Sequence, residues 1–137
     1  ATKDGRTALH LASEKGHLNI AQLLIAQSAS VDQATENGRT ALHFALERGH
    51  LNIVRLLIEH TTSVDQATKD GWTAMHFASE RGHLDIAQLL VAQSTSVDQA
   101  TENGRTALHF ASEKGHLDIV QLLIEHTTSV NQATKDG

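Results

Sequence analysis

Ten histidines among 137 residues are the side chains with the most chemistry to offer. His10, His43, His76 and His109 recur every 33 residues, as do His17, His50, His83 and His116. Imidazole can ligate a metal, carry a proton or activate a hydroxyl, and a threonine (Thr7, Thr40, Thr73, Thr106) stands three residues before each member of the first set. The regular spacing argues against all three roles. Equivalent groups on neighbouring stacked helices lie about 8–10 Å apart, whereas zinc holds its nitrogens at about 2.0–2.1 Å, so such a column cannot close on one ion. Every Thr, Ser, His and Asp combination also recurs in each copy, as architecture does and a single active site does not. Cysteine is absent, which excludes disulfides, thiol catalysis and Cys-ligated zinc together. No glycine-rich phosphate loop followed by Lys is present. No catalytic, metal or cofactor-binding residue is expected, and the histidines read as structural.

The elements that carry them follow from the period. The stretch Gly38-Arg39-Thr40-Ala41-Leu42-His43 has near-copies starting at Gly5, Gly71 and Gly104, giving repeats of about 5–37, 38–70, 71–103 and 104–136. A fixed period of this length marks units that bury their apolar faces only by stacking on one another. Within each unit Asp4-Gly5, Asn37-Gly38, Asp70-Gly71 and Asn103-Gly104 supply tight turns, since Gly reaches positive φ and Asn and Asp tolerate it. Thr7 predicts an N-cap for a helix over residues 8–15, stopped by Gly16 in the left-handed conformation. Small Ala12 lets the paired helix approach. A second helix is predicted over 18–27, where Ile20, Ala21, Leu23 and Leu24 have the three-and-four spacing of a buried stripe. Leu57, in the same helix of the second repeat, is expected between repeats.

The wording Gly-x-Thr-Ala-Leu-His followed by Gly-His-Leu-x-Ile resembles the ankyrin repeat, and the resemblance covers the whole chain in four copies. It implies an all-α solenoid of stacked helix-turn-helix units with projecting β-hairpin loops, one domain spanning 1–137, and a non-enzymatic scaffold for a protein partner. It also implies that the Thr-x-x-His histidines bond locally, tying helix to hairpin. Two departures are regular. Ala8, Ala41, Ala74 and Ala107 stand where the family has proline, and Ser28-Ala29-Ser30, Thr61-Thr62-Ser63, Ser94-Thr95-Ser96 and Thr127-Thr128-Ser129 replace its Gly-Ala-Asp. Without that glycine a different or strained helix end is expected.

Partners of the proteins this chain resembles meet the turn tips and the exposed positions of the inner helices. The positions that carry over include Arg6, Arg39 and Arg105 at the tips, with Trp72 in their place in the third repeat. On the inner helices they are Glu47 and Arg48, Glu80 and Arg81, and Leu46, which replaces Ser13, Ser79 and Ser112. Glu47-Arg48 and Glu80-Arg81 read as solvated pairs. Trp and Arg are enriched at interface hot spots, so Trp72 and Leu46 together could form a small apolar anchor, the alternative being drift at tolerant surface sites.

Lys plus Arg number 11 against 16 Asp plus Glu, a net charge of -5. A nucleic-acid partner needs a basic face, so none is expected. No apolar run approaches the roughly 18 residues of a membrane span, and an intracellular, cytoplasmic location is expected. Residues 1–32 and 67–98 differ at seven positions, and 33–66 and 99–132 at five. A two-repeat block has been copied, by duplication in a longer natural array or by deliberate construction. The end repeats keep interior-type apolar residues, which predicts head-to-tail self-association through Leu9, Leu11 and Leu23 at one end and Leu117, Val120 and Ile124 at the other. A structural, self-stacking module is thus the alternative to the partner-binding scaffold.

Overall fold

A computed structural model describes residues 5–61, 64–93 and 97–126. It contains eight helices: α1 (Ala8–Lys15), α2 (Leu18–Ala26), α3 (Ala41–Arg48), α4 (Leu51–His60), α5 (Ala74–Arg81), α6 (Leu84–Ala92), α7 (Ala107–Lys114) and α8 (Leu117–His126). Consecutive helices pair as hairpins, and the pairs stack so that α1, α3, α5 and α7 form one layer and α2, α4, α6 and α8 the other.

The inner helices begin where expected. Thr7 and Thr106 accept from the amides of His10 and His109 at 3.3 and 3.4 Å, which satisfies one of the orphan donors of the first turn. Each ends at a glycine with φ near +80°: Gly16, Gly49, Gly82 and Gly115. Ala12, Ala45, Ala78 and Ala111 are buried at the contact between layers, where a larger side chain would hold the helices apart. Leu57 is buried, as are Ile53, Ile86, Leu90, Ile119 and Leu123.

Three expectations need correction. The stripe on α2 is only partly covered: Ala21 is buried, but Ile20 and Leu23 are exposed, because no described repeat precedes α2 to cover that face. The end face of the first repeat is therefore formed by Leu11, Ile20 and Leu23, while Leu9 lies in the core. The loops contain no strand among the described residues. They close instead as single turns: Gly38 N–H donates to the Thr35 carbonyl and Thr35 N–H to the Arg39 carbonyl, both at 2.9 Å, a pairing too short to propagate a ladder. The turns also bond sideways, Lys69 N–H to the Asn37 carbonyl at 2.9 Å and Glu102 N–H to the Asp70 carbonyl at 2.8 Å. The hairpin arm at Lys3 and Asp4 lies outside the described residues.

The helix end without glycine is strained, as expected. Ser28 holds φ 70°, the one non-glycine residue at positive φ among those described. Its N–H donates to the Ile25 carbonyl and that of Ala29 to the Leu24 carbonyl, both at 3.0 Å; this is a Schellman ending built on serine. Thr61 ends α4 differently, in extended backbone. The serine and threonine stretches around 62–63, 94–96 and 127–129 lie outside the described residues.

Candidate functional site

The first histidine column is locked into the framework. The N–H of Thr7, Thr40, Thr73 and Thr106 donates to Nδ1 of His10, His43, His76 and His109 at 2.8–2.9 Å. An accepting Nδ1 leaves the proton on Nε2, which donates to a loop carbonyl: His10 to Gln33 at 2.8 Å, His43 to Gln66 at 2.9 Å and His76 to Gln99 at 2.8 Å. Each ring therefore ties a helix start to the loop leading into the next repeat. Burial pushes His43 down to about 4, the Gln66 carbonyl pulling weakly the other way, and burial lowers His76 in the same sense. Both are neutral near pH 7. Among the described residues no three His, Asp or Glu side chains are grouped to hold a metal ion.

The second column joins successive repeats. His50 Nε2 donates to the Glu14 carbonyl at 3.0 Å and His116 Nε2 to the Glu80 carbonyl at 3.1 Å, capping carbonyls near the ends of α1 and α5. At the middle junction the bond is missing. A Cβ on Gly49 would stand 3.8 Å from the His83 ring, against 2.8 Å for Gly16 and His50 and 2.7 Å for Gly82 and His116, and His83 has no ring hydrogen bond among the described residues. The inner helices α3 and α5 thus lie further apart than their counterparts at the other junctions, although the turns of the second and third repeats stay close.

Leu46 explains the spacing. It is fully buried, which corrects its expected place on the exposed face. Ser13 and Ser79 at the same register are buried too, whereas Ser112, with no described repeat after it, is exposed. The position faces the next repeat, and a leucine there needs more room than the serines at the other two junctions.

On the concave side the tip residues form a continuous stack that alternates with phenylalanines. The Arg6 guanidinium lies 4.4 Å from the Phe44 ring centre, and Arg39 lies 4.9 Å from Phe44 and 5.6 Å from Phe77. Trp72 packs at 5.0 Å on Phe77 and 4.5 Å on Phe110, and Arg105 lies 4.8 Å over Phe110. Each such cation–aromatic contact contributes about 0.5–1 kcal/mol at partly exposed sites. Trp72 is therefore half-buried and seated, not a free tip. The phenylalanines were missed in the sequence, although Phe44, Phe77 and Phe110 always stand five residues after the tip residue.

The tip arginines also pair with a glutamate eight residues on: Arg6 with Glu14 at 2.8 Å, Arg39 with Glu47 at 2.7 Å and Arg105 with Glu113 at 3.0 Å. The Arg6 hydrogen bond holds the Glu14 carboxyl below its usual range. Glu47 thus pairs with Arg39 and not with its neighbour Arg48, which reaches back to Glu14 at 3.5 Å. Trp72 carries no charge to form the equivalent ion pair, so among the described residues Glu80 pairs only with adjacent Arg81, at 3.5 Å. Beside it opens a groove of about 500 Å³ floored by Phe77 and Trp72 and flanked by Arg39, Glu47, Asp70, Glu80 and Arg81. A second groove, of about 860 Å³, crosses the same junction on the opposite face, lined by Arg55, Ile58, Glu59, Asp85, Gln88, Leu89 and Gln93.

Of the residues singled out in the sequence, the structure brings Arg39, Glu47, Trp72, Glu80 and Arg81 around one groove. Arg6 and Arg48 meet at Glu14 in the first repeat, and Arg105 closes the stack beyond Trp72.

Paired antiparallel helices in two stacked layers, joined by turns that project to one side, define a helical repeat solenoid. The model for ankyrin repeats (3 copies) matches residues 1–68 and again 61–134, and the chain belongs to the ankyrin-repeat family. No curated protein matches it. Ankyrin repeats generally mediate protein–protein interaction, and the family is typically non-enzymatic. No helix among the described residues is long and apolar enough to cross a membrane.

Proposed function

We propose that the chain is a single four-repeat, non-enzymatic scaffold that binds a protein partner on its concave face, centred on the groove between the second and third repeats. The observation that carries this reading is the break in the Arg–Glu ladder at Trp72. There an aromatic face and an incompletely paired Glu80 line an open groove, whereas the other tip positions are filled by Arg–Glu pairs. An aromatic anchor beside a carboxylate suits a partner side chain with an apolar stem and a cationic head. The net charge of -5 disfavours nucleic acid in that role, and an intracellular setting belongs to the same reading.

Trp72→Arg restores the residue of the other tips. With a partner in hand, calorimetric titration of this variant should show affinity lower by about 30-fold or more, the scale of an interface hot spot. Gln88→Ala, in the groove on the opposite face, should leave affinity unchanged. The reverse pattern would place the partner on the convex side and overturn the proposal.

A further inference from the structure

Three tip arginines in this chain lie against an aromatic ring and pair with the glutamate eight residues on. Arg6 does so with Phe44 and Glu14, Arg39 with Phe44, Phe77 and Glu47, and Arg105 with Phe110 and Glu113. The third repeat keeps a ring, Phe77, and the carboxylate, Glu80, but has Trp72 where the arginine would be. Trp72 adds a second ring, 5.0 Å from Phe77, and no cation. Arg81 does not take over the role. Its Nε stands 3.5 Å from Glu80 Oε1, long against the roughly 2.7–2.9 Å of a good charge-assisted bond. Among the described residues Arg81 lies over no ring, and its side chain is 46% exposed where that of Glu80 is 25%.

We propose that the partner supplies the missing arginine, its guanidinium stacking on Trp72 in the concave groove and pairing with Glu80. This rests on the concave-face reading above and names the side chain that the groove takes. The charges lining the groove balance, Arg39, Lys69 and Arg81 against Glu47, Asp70 and Glu80, so their sum does not choose the guest. Two local features do. The ring faces of Trp72 and Phe77 attract a cation, and Glu80 lacks the tip arginine that holds each of its counterparts. Arginine fits better than lysine, because a planar guanidinium can stack on a ring and present paired N–H groups to a carboxylate, whereas an ammonium is compact and strongly hydrated.

The probe is N-acetyl-arginine methylamide, titrated into the isotope-labelled 137-residue chain. Trp72 is the one tryptophan, so its indole N–H gives a single NMR signal inside the groove. That signal should shift and saturate in the millimolar range of probe. The lysine amide should bind about 10-fold more weakly, and the uncharged citrulline amide should leave the signal in place. Glu80→Gln keeps both rings and the size of the side chain, and should weaken the arginine amide about 10-fold. Its amide spectrum, matching the parent's away from the groove, shows that the fold is kept. No saturable shift up to about 100 mM probe, far weaker than a millimolar site, would overturn the proposal. Equal binding of the lysine or citrulline amide, or undiminished binding to Glu80→Gln, would overturn the arginine and leave the concave groove as the binding site. Shifts confined to the amides around Arg55 and Gln88 would put the site on the opposite face and overturn both readings.

Discussion

His50 closes over Gly16, with its ring where a side chain on that glycine would have to be. A Cβ there would stand 2.8 Å from the ring at φ +82°. Gly115 has the same left-handed backbone, φ +76°, with nothing within 4 Å. The pair separates conformational strain from steric exclusion. Gly115→Ala should cost about 1–2 kcal/mol, the strain of an L-residue in that region, and Gly16→Ala clearly more, because His50 must move and loosen its bond to the Glu14 carbonyl. Urea unfolding of the two variants checks this, and equal losses would show that His50 does not hold its place.

Stability should fall as the solution is made mildly acidic. In the unfolded chain the histidines protonate near 6.5, whereas His43 in the fold does so only at about 4. Between those values the unfolded state binds more protons, so stability rises with pH. The contribution is complete above about 6.5 and is lost on descending towards 4, reaching about 3 kcal/mol for His43 in the limit. His76 acts in the same direction. Histidine NMR titration should place the His43 midpoint well below the 6.5 of a histidine in the unfolded chain, and a midpoint near 6.5 would refute the reading.

Ser28→Gly should stabilise the chain by about 1 kcal/mol. The serine sits at φ 70°, a region that favours glycine. Thermal unfolding would show a higher midpoint, and a drop would mean that the serine side chain compensates its own strain.

Leu46→Ala should cost about 2–5 kcal/mol, as buried leucines do. Leu23→Ala in the monomer should stay within about 0.5 kcal/mol. Similar small losses at both sites would return Leu46 to the surface.

Ser13 Oγ and Ser79 Oγ are buried without a hydrogen-bond partner among the described residues. Ser79→Ala removes an unsatisfied group and improves helix propensity, so stability should rise by up to about 1 kcal/mol. A loss of that size would reveal a bond that the hydroxyl makes.

The framework was legible because its signals are local. Thr7 and Gly16 bracket α1 within one turn of each end, and the 33-residue period repeats the message. The face was less so. Leu46 in a column of serines looks like drift on a polar surface, and only the next repeat shows that the column points inward. Trp72 looked like a free tip because its contacts, Phe77 and Phe110, lie five and 38 residues further on. Ile20 and Ile86 occupy the same sequence context, and only the presence of a neighbour decides which is wet.

The sideways bonds between turns, Asn37 to Lys69 and Asp70 to Glu102, bear on the entropy of recognition. Loops that must be fixed on binding forfeit about 1–2 kcal/mol for each residue's backbone. Here the tips of the second, third and fourth repeats are held by one another before any encounter, so a partner meets a row of groups whose spacing is already set. Contacts along such a row translate into affinity with little ordering cost, and a partner whose own groups are spaced to one repeat gains most from it.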